Sequence, residues 1–453
     1  MPAENEQNQE QGLRHQLSAG QMAMVAVGGS IGTGLLLGSA GALEMAGPGV
    51  ILSYVLAAFI NWTVAMALGE LSSVHPAAGS FGLYGDLYLN EWAGFMARAG
   101  YWAAISIAIG AEMVAAATYM GYWFASVPSV VWVGAFSVLL LLTNLRSVGD
   151  YGSFEYWFAM IKLATIVAFI VIGAGLLLSG HAQQQYTTQG GFLPKGPIAP
   201  LFAMFFAIYT FGGIEILAIT TGESSSPGEI PRAVRLTFRV LTSVYLGAII
   251  VLVGVMPWNH AGVTESPFVT VFRQAKIPAA GHVMNFVVLT AALSGANAAL
   301  YGASRLLFSM GRTGWAPARL GRLNAAGSPQ LALVVSSFGV VVALVMAKWA
   351  PKNAFVYLLG AAFSGLILAW LVSLAAHISF RRRLTPNAVV ALPMRSPIGM
   401  WGSVLGFVLV SLSLFQTWRL SRVNFVSGVA YLVILSLAYW FIQRRRSESR
   451  MQP

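Results

Sequence analysis

Gly28-Gly29-Ser30-Ile31-Gly32-Thr33-Gly34 is the stretch on which the reading of this chain turns. It lies at the centre of an apolar run, residues 20–43. A bilayer crossing needs about 20 such residues. Four of the seven residues are glycine. Each costs a helix interior about 1 kcal/mol relative to alanine. The helix is therefore expected to be interrupted halfway across the membrane. Tyr209-Thr210-Phe211-Gly212-Gly213-Ile214-Glu215 stands in the same way within the run 200–221, five runs further along the chain.

The whole chain has the composition that such a reading needs. Of its 453 residues, 57% are hydrophobic and only 9% are charged; the mean hydropathy is +0.71. A soluble domain carries about a quarter charged residues. Nothing soluble of this length can hide so much apolar surface, so lipid must cover it. The net charge of +11 sits in short loops between apolar runs. That pattern suits membrane orientation and not a nucleic-acid-binding face. The absence of cysteine excludes disulfides and cysteine-based zinc or redox chemistry.

About twelve apolar runs are expected to cross the membrane: 20–43, 50–71, 93–124, 129–144, 154–178, 200–221, 234–257, 279–310, 331–346, 354–380, 401–418 and 425–442. Twelve crossings put both termini on one side. Alternate loops then hold 15 basic residues on that side against 7 on the other, which predicts cytoplasmic termini. Residues 1–17 are polar and lack the basic-then-apolar pattern of a cleavable signal, so they read as a tail. No soluble domain interrupts the runs, and the function is expected inside the helix bundle.

Two interrupted runs in corresponding halves point to inverted repeats and a site at the membrane midplane. Unwinding strands N–H and C=O groups, which lipid tolerates only where they line a cavity or bind something. The N–H groups of Ile31, Gly32, Thr33 and Gly34 head a half-helix and suit a carboxylate. The carbonyls near Tyr209, Thr210 and Phe211 end one and suit an ammonium. Together they fit a zwitterionic amino acid. The competing reading is close helix packing through small residues.

Few ionisable residues lie inside the runs, and such residues usually mark function. Lys162 is the candidate proton-coupling residue, since a buried lysine can titrate; the competing reading is a lysine that snorkels to the interface. Glu215 either approaches the substrate ammonium or carries a proton; the competing reading is a carboxylate that caps the broken backbone. Glu112 reads as a structural acid in helix packing. Phe211 adjoins the second break and is a candidate gate. Glu223 and Glu70 lie near run ends as inner-gate or loop contacts. His75, His260 and His282 show no metal spacing, and no nucleophile–base pair or phosphate loop is evident. An enzyme, a cofactor and a metal site are therefore not expected.

The chain resembles the bacterial amino-acid permeases of the amino acid–polyamine–organocation superfamily, within it the group of lysine, phenylalanine, proline and GABA permeases. The resemblance rests on Gly28–Leu35 with its quoted glycines, Ala46-Gly47-Pro48-Gly49, and Leu68-Gly69-Glu70-Leu71. Further matches are Phe154-Glu155-Tyr156-Trp157-Phe158-Ala159-Met160-Ile161-Lys162 and Phe211-Gly212-Gly213-Ile214-Glu215 followed by Gly222-Glu223. Ile230-Pro231-Arg232-Ala233-Val234 and Ser266-Pro267-Phe268 also fit. It spans nearly the whole chain.

The resemblance implies an all-α membrane protein of about 12 transmembrane helices in a LeuT-like fold. That fold is a 5+5 inverted repeat with helices 1 and 6 broken, plus two C-terminal helices. The segments would be a tail 1–18, repeats 19–198 and 199–383, two further helices in 384–443, and a tail 444–453. It implies proton symport in the bacterial inner membrane, with Lys162 where sodium-coupled relatives bind an ion. The substrate backbone would sit at Ser30–Gly34 and at Tyr209, Phe211, Gly212, Gly213, Ile214 and Glu215. Ser106, with Ala104, Ile105 and Ile109, and Ser294, with Leu293 and Asn297, would shape its side-chain pocket. Departures occur: Trp102-Ala103-Ala104-Ile105-Ser106 is less aromatic than in several relatives, and Thr220-Thr221-Gly222-Glu223 replaces a common Ala-Gly-Glu. No further acid for a cationic side chain is evident, which favours a neutral amino acid. An exchanger and a cationic amino-acid permease are the alternatives. The expected partners are the amino acid, protons and membrane lipid, with no nucleic acid.

Overall fold

The computed structural model describes residues 18–76, 80–146, 151–180, 185–188, 190–221, 224–226, 228–261, 265–274, 279–324, 328–420 and 422–451. Among these residues the regular structure is helical, with no strand. The first run becomes α1 (Ala19–Ser30), α2 (Thr33–Leu36) and α3 (Gly38–Ala46). The second is α4 (Val50–Val74), followed by the short α5 (Ser80–Tyr88). Next come α6 (Glu91–Gly121), α7 (Ser129–Arg146) and α8 (Tyr151–Leu178). The sixth run splits into α9 (Ala199–Thr210) and α10 (Ile214–Thr220). Then follow α11 (Glu229–Val255), α12 (Pro267–Gln274), α13 (Ala280–Arg312), α14 (Gln330–Ser336), α15 (Phe338–Trp349) and α16 (Ala354–Arg383). The short α17 (Pro386–Val390) leads to α18 (Met400–Leu420) and α19 (Arg422–Met451).

Nine helices among the described residues are long and apolar enough to cross a membrane. Ser129–Asn144 and Met400–Phe415 are shorter apolar helices. The protein is thus a multi-pass, helical membrane protein. Boundaries differ from the sequence expectation mainly at the C-terminus, where α19 continues to Met451 through the residues expected as a tail. Arg446 holds this extension, stacking 4.1 Å from the Trp315 ring and donating to the Thr313 carbonyl at 3.4 Å.

Local sequence sets the helix ends. Ser18 and Gln21 form a reciprocal capping box at the start of α1. The Asn90 side chain accepts from the Ala93 N–H at the start of α6. α3 ends where Gly47, at φ +60°, opens the Gly-Pro-Gly turn; φ > 0 is costly for any residue but glycine.

α6 is the central helix, packed against α13, α15 and α16. Small residues let it come close. A Cβ on Gly365 of α16 would lie 2.6 Å from the Ala104 Cβ, and the Tyr431 hydroxyl of α19 donates to the Gly100 carbonyl at this crossing. The two broken runs lie side by side and antiparallel, with α1 against α10 and α3 against α9.

Candidate functional site

The two breaks touch each other. In the first, α1 ends at Ser30, Ile31 and Gly32 leave the helix, and Gly32 is extended where α2 begins. In the second, Phe211 and Gly212 turn tightly and Gly213 takes φ +109°, a left-handed conformation open to glycine. A Cβ on Gly213 would stand 2.9 Å from the Ser30 Cα, and one on Gly34 would stand 3.0 Å from the Thr210 Cα. Helix interruption and close packing therefore coincide. Gly34 and Gly213 allow the backbones to approach, and the approach occurs where the helices are interrupted.

Three ionisable side chains converge here. Lys162 is 2% exposed, and its Nζ donates to the Gly28 carbonyl at 3.0 Å. It does not snorkel; it reaches the C-terminal end of α1, where carbonyls lack helical partners and a cation is favoured. Glu112 of α6 faces the other side of the same break. Its Oε1 accepts from the Thr33 N–H at 3.3 Å and from the Thr33 hydroxyl at 3.1 Å. Glu112 fills the space left by two glycines, since a Cβ on Gly32 would lie 2.8 Å from Oε1 and one on Gly295 3.3 Å from it. Glu215 serves the second break, its Oε2 accepting from the Gly213 N–H at 3.1 Å. Tyr101 and Trp370 approach the same carboxylate.

The row of free N–H groups expected at Ile31 to Gly34 is shortened by local bonds. Ile31 donates to the Val27 carbonyl at 2.9 Å and Gly32 to the Ser30 carbonyl at 3.0 Å, while Thr33 is taken by Glu112. The Tyr209 carbonyl accepts from Gly212 at 3.0 Å.

The remaining expected residues fall in different places. Tyr209 lies against Gly34, 3.2 Å from its added Cβ, and Ile214 opens α10 beside the turn. Ser294 is buried and precedes Gly295, the α13 residue that meets Glu112. Ser106 is not brought there. Its backbone abuts Gly339 of α15, as does Gly110 one turn on, so that stripe is a helix crossing. Asn297 accepts from Asn144 of α7 at 2.7 Å. Phe211 is fully buried, with its ring 5.0 Å from Tyr245 and 6.4 Å from Tyr54. To close over a substrate as a gate it would have to leave that slot. Glu223 lies outside the described residues.

Sequence reading did not place Glu112 at the first break and did not single out Gly295, Tyr54, Tyr101 or Trp370. Only Glu112 carried a usable signal, as an acid near the middle of an otherwise uncharged stretch; the others are ordinary residues whose partners lie far away in sequence. Among the described residues no cluster of three or more His, Cys, Asp or Glu could hold a metal ion.

A family model described as amino acid permease matches residues 21–447, which include both breaks and all three charged side chains. The chain belongs to the amino acid permease family. The gamma-aminobutyric acid permease of Bacillus subtilis (strain 168) is 34% identical, over 97% of this chain and 96% of that protein. The aromatic amino acid transport protein AroP of Escherichia coli (strain K12) is also 34% identical, over 97% and 98%. The probable threonine/serine transporter YbxG of Bacillus subtilis is 32% identical, over 94% and 95%. This family and these relatives are named as permeases and transporters and not as enzymes.

Proposed function

We propose that the protein imports a neutral amino acid across the bacterial cytoplasmic membrane by proton symport and alternating access. The fold would be LeuT-like, with twelve spans. Repeats 19–198 and 199–383 would be inverted copies, 384–443 would add two helices, and both tails would be cytoplasmic. One observation carries the reading: two antiparallel broken helices meet at Ser30 and Gly213, with an ammonium on one side of the first break and a carboxylate on the other.

In this mechanism the substrate carboxylate takes the place of the Glu112 carboxylate at Thr33. The ammonium lies toward the turn 209–215, and Glu215 keeps that turn folded. Lys162 gains and loses the transported proton, and with it its hold on the Gly28 carbonyl. That bond links proton occupancy to the position of α1. Among the residues expected near the midplane, Ile105 and Leu293 are apolar and only partly buried. γ-Aminobutyrate, aromatic amino acids, threonine and serine, the compounds in the relatives' names, are all electrically neutral overall, which supports a neutral substrate here. Partial exposure at Gly29, Gly212 and Ile216, with 33–43 buried throughout, fits a site open toward the N-terminal side.

The test begins with thermal shift of the purified protein against amino acids, because a ligand of the native state raises the melting temperature. Reconstitution follows. Symport acidifies the liposome lumen on uptake into vesicles that hold no substrate. Uptake that requires internal substrate would replace symport by exchange.

A further inference from the structure

The most elaborate buried polar cluster lies away from the breaks, at the end of α4. Glu70 is fully buried there. Its Oε2 accepts from Arg381 Nη2 at 2.6 Å and from the Ser396 N–H at 2.8 Å. Its Oε1 meets His377 Nε2 at 3.1 Å and the Arg381 Nε. His377 Nδ1 in turn pairs with the Ser403 hydroxyl at 2.7 Å. One carboxylate thus gathers α4, α16, the connection after α17 and the start of α18. Around it the packing is equally close. A Cβ on Gly69 would lie 2.7 Å from the Met394 Sδ, and one on Gly406 of α18 would lie 2.9 Å from the Thr63 Cβ of α4. Arg383 fastens the end of α16 to the Leu87 and Tyr88 carbonyls at 3.2 and 3.1 Å.

We infer that Glu70 is a positioning residue that welds α4, α16 and α18 into one body, which keeps its internal arrangement while α1 and α10 move against it. The inference rests on the transport reading. One observation and one physical argument separate a weld from a gate. The cluster is intact, with Glu70 and His377 fully buried, in a structure whose breaks are partly exposed on that same side, at Gly29 and Ile216. A seal for that side would be parted here. Separation would also strand a carboxylate and a guanidinium in the protein interior, the costly outcome for a buried pair.

The chain has no cysteine, so one introduced thiol reports alone. Ser403→Cys places it in the cluster, and Met24→Cys on the partly exposed face of α1. Each full-length variant is treated with N-ethylmaleimide in liposomes, with and without a mixture of γ-aminobutyrate, phenylalanine and threonine. The weld predicts that Ser403→Cys stays unlabelled in both conditions while the labelling rate of Met24→Cys changes. Labelling of Ser403→Cys that appears with the mixture overturns it. An unchanged rate at Met24→Cys counts against the transport reading instead, and the weld is then decided by stability. Glu70→Ala is expected to lower the melting temperature, and Glu70→Met with His377→Phe and Arg381→Met to recover it. A silent Glu70→Ala, or no recovery in the triple variant, removes the weld.

Discussion

The two helix breaks are built differently. The first is a short extended segment whose charges come from elsewhere, Lys162 from α8 and Glu112 from α6. The second is a closed turn that carries its own carboxylate two residues away. It is braced from behind by the Tyr54 hydroxyl, 3.0 Å from the Thr210 hydroxyl. A break that depends on outside charges can respond when those charges change partner or protonation. A break that caps itself keeps its shape. In the proposed mechanism the first break carries the coupling role, and the second keeps its folded turn as α10 moves.

Four substitutions test this division, from the largest expected effect to the smallest. Gly213→Ala should be the most damaging. It places a side chain in the left-handed region, at about 1–2 kcal/mol, and drives the Cβ into the Ser30 backbone. Loss of the monodisperse peak in size-exclusion chromatography is expected. Gly32→Val should leave the fold intact, because its Cβ meets only the movable end of the Glu112 side chain, yet abolish stabilisation by substrate. A Gly32→Val protein with normal affinity would remove the carboxylate site from the first break.

Lys162→Met should flatten the pH dependence of uptake while substrate exchange persists. Wild-type pH dependence in that variant would take the coupling role away from the first break. Tyr54→Phe should cost only about 1 kcal/mol of stability, the usual worth of one hydrogen bond, with uptake unchanged. A marked uptake defect there would mean that the second break does not keep its turn by its own cap.

The three acids illustrate what could be read in advance. Glu215 lies next to glycines that break its own helix, so its capping contact is local and was foreseen as one alternative. Glu112 was visible as an intramembrane acid, yet its partner is 79 residues away, and only packing puts it on Thr33. Glu70 looked like a run-end contact. His377 and Arg381, 311 residues further on in the case of Arg381, turn it into the centre of a buried network. Ser106 shows the converse: a small polar residue in a plausible place, whose backbone lies at the helix crossing with Gly339.

Sequence alone determined the solvent, the helices and the interruptions. Hydropathy, run length and glycine content act locally and need no knowledge of neighbours. Tertiary structure decided which groups meet at the breaks. Those contacts join side chains from distant helices, and the rotation of each helix about its axis is set by close packing at Gly34, Gly110, Gly213 and Gly339, which periodicity cannot specify in helices apolar on nearly every face.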